Sequence, residues 1–227
     1  MYNTPQKLVA EFIGTFALIF AGVGAICANQ LAGGGSGLVG VALAHGLAIA
    51  VMIAAVGHVS GAHFNPAVTV AFWVTKKMGT IEALGFWASQ LAGATSAAFL
   101  LTVFFPPEVW HRVSLGTPAL AADVTPTLGI LIEAVMTFLL VFVIFGTAAD
   151  KNSAFGKLAP FAIGLTFSMD ILLGGVLTGA AMNPARAFGP ALVSHAWANH
   201  GVYWVGPLAG GLAAGFLYDT LLMKKSE

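Results

Sequence analysis

Six long apolar segments dominate the chain, and shorter polar or glycine-rich stretches separate them. Each segment holds about 20 largely apolar residues, which is the length that an α-helix needs to cross the hydrocarbon core of a bilayer. The pattern therefore predicts transmembrane helices at Leu8–Ala28, Leu38–Gly57, Ile81–Phe104, Thr127–Ala148, Leu158–Thr178 and Gly201–Leu222.

The composition excludes a soluble globular domain, because 58% of the residues are hydrophobic and only 8% are charged, whereas about 25% is usual in soluble domains. The net charge is zero and no polybasic stripe is present, so no nucleic-acid partner is expected. Glu11 inside the first span argues against a signal peptide. The single cysteine, Cys27, excludes an internal disulfide and a cysteine-rich metal site. Neither a nucleophile–base arrangement nor a metal cluster can be found, so we expect no enzyme, cofactor or metal.

The lysines define an orientation, because all of them fall on one side of a six-span topology and positive residues mark the cytoplasmic side. Both termini are therefore predicted to be cytoplasmic. The short tails outside the first and last spans favour the plasma (inner) membrane of a prokaryote. The lysines are Lys7, Lys76, Lys77, Lys151, Lys157, Lys224 and Lys225.

The chain repeats itself at a spacing of about 120 residues. Each half reads span, span, Asn-Pro-Ala segment, span, and an odd number of spans gives the second half the opposite orientation. Such inverted repeats place a site at their interface near the membrane midplane. We predict one transmembrane channel domain, 1–227, with repeat one at about 8–104, an outer loop at about 105–126 and repeat two at about 127–222. The matching motifs are EFIGTF with EAVMTF, FNPAVTVAF with MNPARAFGP, and WASQLAG with WVGPLAG.

The two Asn-Pro-Ala segments are too short to span a membrane. Proline is favoured at the first position of a helix and asparagine just before it, so Asn65 and Asn183 each begin a predicted half-helix, PAVTVAFWV and PARAFGPAL. Half-helices entering from opposite faces bring their positive N-termini together at mid-membrane, where the asparagine amides offer hydrogen-bond donors. One copy alone could be an ordinary Asn-Pro turn, but two copies inside inverted repeats favour half-helices.

These residues, with SGAHFNPAVT, GAAMNPARAFGPALVS and the paired acids Glu11 and Glu133, resemble the aquaporin (major intrinsic protein) family over nearly the whole chain. The resemblance implies an all-α membrane protein with six transmembrane helices plus two re-entrant half-helices in two inverted repeats. It also implies a homotetramer in membrane lipid, with one pore per subunit, that passively conducts water or small neutral solutes. Positive helix ends at the centre would exclude protons and cations. The implied constriction residues are Asn65, Pro66, Ala67, Asn183, Pro184 and Ala185.

The resemblance also implies a selectivity filter. Arg186 lies one helical turn outward from Asn183, and counting back from the asparagines without gaps gives His45, Ile171 and Ala180. This set resembles tonoplast intrinsic proteins and the ammonia-permeable members of the family, because Ile171 leaves a less polar and wider opening. Ammonia is therefore an expected permeant beside water, and a strict water channel is the alternative.

Other interpretations of the filter residues are open. Arg186 could be a surface arginine that extends to the membrane interface, and His45 could form a hydrogen bond between helices that only stabilises packing. Glycerol is disfavoured as the main substrate, because Ala187 stands where glycerol facilitators of the family carry aspartate.

The acidic residues inside the predicted spans have two interpretations. Glu11 and Glu133 are predicted to support the re-entrant loops by accepting their backbone N–H groups, because charges inside a membrane must face protein or water. The rival is a proton-coupled secondary transporter that uses Glu11, Glu133 and Asp170 as proton carriers. Asp170 could also tune the filter or pair with a polar neighbour, and His111 in the outer loop could extend the filter. Backbone carbonyls predicted to line the pore belong to Gly61, Ala62, His63, Gly179 and Ala181.

Overall fold

The computed structural model describes residues 2–224, and every regular element within that range is helical. Six helices are long and apolar enough to cross a membrane, as predicted. Lys225, which was used for the orientation, lies outside the described residues. The helices are α1 Thr4–Leu31, α2 Gly37–Ser60, α3 Pro66–Val74, α4 Thr80–Phe104, α5 Pro107–Arg112, α6 Pro126–Ile144, α7 Ala159–Gly174, α8 Pro184–Ser194 and α9 Val202–Leu217.

Three predicted spans differ by three or more residues from the helices that form, and one of them is α2, which ends at Ser60 and not at Gly57. α1 begins before Leu8, because Asn3 caps it: the Asn3 side chain accepts from the backbone N–H of Gln6 at 3.0 Å, and the Gln6 side chain accepts from the Asn3 N–H at 2.9 Å. α7 ends at Gly174, not at Thr178, because the chain turns there towards the second re-entrant loop. Turns of π-helix extend α6 through Ala149 and α9 through Leu222.

The half-helices α3 and α8 begin where the asparagines predict. Asn65 accepts from the N–H of Ala67 at 2.8 Å, and Asn183 accepts from the N–H groups of Ala185 and Arg186 at 3.0 and 3.2 Å. Each proline that follows occupies the first helical turn, where its missing N–H costs nothing. α3 has the predicted bounds, whereas α8 continues past the predicted end to Ser194.

The two halves pack in the same way. α1 packs against α4 as α6 packs against α9, and α2 crosses α7 between the halves. The half-helix α3 rests on α9, and the half-helix α8 rests on α4. Each half-helix is therefore held by the last long helix of the opposite half, as an inverted repeat requires.

Glycines allow the helices to approach closely. A Cβ added to Gly46 of α2 would overlap the carbonyl oxygen of Gly164 in α7, and the reverse also holds. At equivalent places in the two halves, Gly93 packs on the Phe12 carbonyl and Gly210 packs on the Ala134 carbonyl. Small residues at helix crossings are typical of membrane helices, where close van der Waals packing drives association.

Among the described residues, the lysines lie at one end of the bundle, which we call the basic end. Lys7 pairs with Glu82 at 2.6 Å, which joins the start of α1 to the start of α4. Lys77 pairs with Asp219 at 2.7 Å, which joins the loop after α3 to the final helical turns.

Gly164→Ala should destabilise the fold, because the new methyl group must separate α2 from α7. Overpacking of this kind costs about 1–3 kcal/mol, so we expect the thermal unfolding midpoint in detergent to fall by about 2–10 °C. Gly79→Ala is the matched control, since a Cβ at Gly79 meets no atom within 4 Å. Equal midpoints for the two variants would contradict the packing described here.

Candidate functional site

The first re-entrant loop is organised around the carboxylate of Glu11, which lies fully buried in α1. Its oxygens accept from consecutive backbone N–H groups and from side chains of α2 and α4. These bonds pair the N–H groups of His63 and Phe64 inside the membrane, where lipid offers no acceptor. The donors are Ser60 Oγ at 2.7 Å, His63 N at 2.9 Å, Phe64 N at 2.7 Å and Gln90 Nε2 at 2.8 Å.

Glu133 does the same for the second loop and is equally buried. It accepts from Thr178 Oγ1 at 2.6 Å and from the backbone N–H groups of Ala181 at 2.9 Å and Met182 at 2.7 Å. Thr178 also accepts from the N–H of Ala180 at 3.1 Å, as Ser60 does for its own loop. The halves thus use the same acid–hydroxyl–backbone arrangement.

Both loops adopt a backbone conformation that is unusual for residues with side chains. The left-handed region is disfavoured for alanine, phenylalanine and methionine, so the bonds to the carboxylates must hold the chain there. The φ angles match between the halves: +89°, +53° and +50° at Gly61, Ala62 and Phe64, and +84°, +45° and +51° at Gly179, Ala180 and Met182.

The half-helices meet end to end through their asparagines. Asn65 donates from Nδ2 to the carbonyl of Met182 at 2.8 Å, and Asn183 donates from Nδ2 to the carbonyl of Phe64 at 2.8 Å. Each Oδ1 is already engaged by its own helix N-terminus. Because an amide nitrogen carries two hydrogens, each asparagine keeps one N–H that these bonds do not use.

Two cavities lead towards this centre. The basic-end cavity, of about 570 Å³, extends from Asn65 and Asn183 to Lys151 and Lys157. The cavity on the opposite side, of about 370 Å³, is lined by Arg186, and we call it the Arg186 cavity. The two share no lining residue, so a narrower stretch separates them.

Arg186 lies inside the protein with 2% of its surface exposed, which argues against a side chain that extends to the interface. Its Nη1 donates to the carbonyl of Gly116 at 2.8 Å, in the loop between α5 and α6. Its Nε is buried without a partner. None of the ion pairs among residues 2–224 involves Arg186, so its charge is not neutralised by direct contact.

His45 lines the Arg186 cavity from α2. Its Nδ1 lies 2.9 Å from the carbonyl of Val41, which can only accept, so Nδ1 carries the hydrogen. In the neutral ring Nε2 is then an acceptor, and it is buried without a partner. The ring lies against Gly22 of α1, where a Cβ would overlap it. Its one hydrogen bond is to its own helix, unlike the bond between helices that we considered.

Most of the other candidate residues line one of the two cavities. Ile171 lines the Arg186 cavity beside His45, but Ala180 is fully buried outside its lining, where Gly179 lies instead. Of the predicted carbonyl residues, Gly61, Ala62 and His63 line the basic-end cavity, and Ala181 lines neither.

Two residues whose roles were left open lie away from the cavities. His111 is exposed, stacks on Trp110 with ring centroids 3.7 Å apart, and does not line the Arg186 cavity. Asp170 is 2% exposed, and its Oδ2 is buried without a partner. It lines neither cavity.

Sequence reasoning missed several supporting residues. Ser60 and Thr178 each carry a hydroxyl at the same distance before the asparagine of their loop. Aligning the two repeats would have revealed this match. Gly22 and Gly116 could not have been found, because their roles depend on contacts between distant segments.

Comparison with known proteins points to one family. The family model for the major intrinsic protein family matches residues 2–218. The chain is 46% identical to Aquaporin TIP4-4 of Zea mays, over 96% of this chain and 87% of that protein. It is 43% identical to Probable aquaporin TIP3-2 of Arabidopsis thaliana, over 96% and 84%. The X-ray structure of the aquaglyceroporin from Plasmodium falciparum has the same fold, with a TM-score of 0.84 at 23% identity over 97% of both chains.

The relatives are plant proteins, which does not favour the prokaryotic inner membrane expected from the short tails. The family resemblance, the six spans and the fold predicted from the sequence are confirmed. The chain belongs to the major intrinsic protein family, the aquaporins, and is an integral multi-pass membrane channel, not an enzyme.

Proposed function

We propose that this channel conducts water and ammonia passively and in single file while excluding protons and cations. The pore would run from the basic-end cavity, past Asn65 and Asn183, to the Arg186 cavity. The observation that carries the proposal is the pair of asparagine amides, each anchored on one side and left with one N–H for a permeant.

Exclusion of protons follows from the direction of these donors. Two helix N-termini concentrate positive potential at the centre. A water molecule there accepts from Asn65 and Asn183 through its oxygen, so both of its hydrogens point away along the pore. It then has no lone pair free to take a proton from the next water. Arg186 adds a fixed positive charge that raises the barrier for any cation.

Permeation of ammonia is supported by the mixed polar and apolar lining of the filter. Arg186 offers N–H donors and Ile171 contributes an apolar wall, while the His45 ring lines the same cavity with its Nε2 buried against Gly22. Water and ammonia each have both a hydrogen to donate and a lone pair. Ammonium has no lone pair and is repelled by Arg186. A strict water channel would need the filter to be too narrow for ammonia.

The proton-coupled transporter is a weaker candidate. The oxygens of Glu11 and Glu133 already accept hydrogen bonds from the loops that they hold. Asp170 lines neither cavity. Proton carriers must exchange with both sides, and none of the three acids has such access.

Membrane orientation and assembly form part of the same proposal. The basic end is cytoplasmic, because lysines favour that side. The protein forms a homotetramer in the lipid bilayer with one pore per chain. The repeats span about 8–104 and 127–222 around the outer loop at 105–126.

Liposomes that contain the protein should shrink faster under an osmotic gradient than empty ones, and should become alkaline inside faster under an ammonium gradient. In His45→Phe, the larger ring should narrow the Arg186 cavity, which should lower the ammonia signal by about tenfold, an increase of about 1.4 kcal/mol in the barrier, and keep water flux. Stopped-flow light scattering and an internal pH dye measure the two fluxes. His111→Phe is the matched control and should leave both unchanged. Alkalinisation at the empty-liposome rate would contradict ammonia permeation and would support the strict water channel.

Arg186→Val should admit protons, because it removes the fixed charge from the filter. We expect proton leak driven by a potassium diffusion potential to rise by about tenfold or more, since a charge at about 4 Å contributes several kcal/mol. Arg112→Val, which changes an exposed arginine of the outer loop, is the control. An unchanged leak in Arg186→Val would show that the charge is not part of the barrier.

A further inference from the structure

A chain of side-chain hydrogen bonds connects the buried Glu11 to the basic-end cavity. Gln90 of α4 donates from Nε2 to Glu11 Oε2 at 2.8 Å and to Thr69 Oγ1 at 3.0 Å. Both bonds use the same amide nitrogen, which has two hydrogens. Because a carboxylate only accepts, the amide orientation is fixed and Thr69 must be an acceptor towards Gln90.

Thr69 determines how the next residue is protonated. Its single hydroxyl hydrogen goes to the carbonyl of Asn65 at 3.1 Å, since a carbonyl can only accept. The Thr69 oxygen is therefore an acceptor for its other partner as well, which is His63 Nδ1 at 3.1 Å. His63 must carry its hydrogen on Nδ1.

The other ring nitrogen of His63 faces the cavity. Nε2 has no hydrogen-bond partner among the described residues and is not among the buried unpartnered atoms. The ring lines the basic-end cavity with 8% of the residue exposed. It is held against Phe72 and Phe86, with ring centroids 4.5 and 5.3 Å away.

We propose that His63 is a specificity-determining residue whose Nε2 is a fixed acceptor for neutral hydrogen-bond donors on the basic side of the asparagine pair. The proposal rests on the proposed conduction of water. A water that donates to His63 keeps its oxygen free to accept from its neighbour, which maintains the orientation set at the centre. The His63 side chain thus has a role of its own, whereas the sequence predicted a role only for the His63 backbone carbonyl.

The residues that fix this acceptor occur in the first repeat but not at the equivalent positions of the second. In the second repeat, Ala181 stands at the position of His63, Ala187 at that of Thr69, and Pro207 at that of Gln90. The loop-supporting acids are shared by both repeats, but this acceptor is not. The fixed acceptor is therefore assigned to the basic-end half of the pore alone.

Nitrogen-15 NMR of histidine-labelled protein tests the tautomer directly, with His63→Asn to assign the resonance. We expect Nδ1 of His63 to be protonated and Nε2 to be bare in the wild type. Thr69→Val should produce a mixture of tautomers, and Thr69→Ser, which keeps the hydroxyl, should restore the single one. Thr75→Val is the matched control, because Thr75 lies just after the same half-helix and bonds only to backbone carbonyls. A protonated Nε2 in the wild type would overturn the inference.

Water flux into liposomes tests the functional part. Loss of one hydrogen bond of ordinary strength should lower the permeability per channel of Thr69→Val by about threefold, with recovery in Thr69→Ser and no change in Thr75→Val. Equal permeability of all variants, despite a mixed tautomer, would show that the acceptor does not act on the permeant. Wild-type flux at the empty-liposome level would instead overturn the proposed conduction itself.

Discussion

The re-entrant loops depend on two carboxylates that accept backbone hydrogen bonds inside the membrane. A helix that begins at mid-membrane leaves N–H groups that neither lipid nor a preceding turn can satisfy. Glu11 and Glu133 each accept two neighbouring N–H groups and a hydroxyl just before the half-helix. A buried acid is costly in this environment, and it is tolerated because nearly all of its acceptor capacity is used.

The position of the asparagines follows from these bonds. Because the carboxylates hold Phe64 and Met182 in left-handed conformations, the carbonyls of those residues reach the opposite asparagine. Each loop thus completes the other, and neither half-helix can shift without breaking a bond to its partner. Each asparagine presents one free N–H at the centre, because its oxygen and its other N–H are used in these bonds. These free N–H groups do not require any further residue at the centre.

Local chemistry made much of this predictable. An asparagine cap followed by proline determines where a helix begins, so the start of both half-helices and both bounds of Pro66–Val74 could be read from the sequence. The matching spacing of Glu11 and Glu133 before their loops indicated a shared role. Long apolar segments located the spans, but not the end of α7, where the chain turns at Gly174 because Thr178 bonds to Glu133.

What could not be predicted depends on the geometry of contacts, some between distant segments and some between residues close in the sequence. The carbonyl of Gly116 that orients Arg186 comes from the outer loop, whose packing has no periodic signal. The protonation of His45 and His63 is set by Val41 and Thr69, one on the same helix and one on the half-helix that follows. Spacing can bring a histidine to the pore, but only the geometry of its neighbours shows which nitrogen faces it.

The central claim is that Asn65 and Asn183 jointly bind one permeant through their free N–H groups. A structure determined at a resolution that shows ordered water tests it most directly. We expect a water oxygen at about 3 Å from Nδ2 of both asparagines, with both amides still bonded to the opposite loop. Density that places the central waters out of reach of either amide, or an amide turned away from the pore, would contradict it.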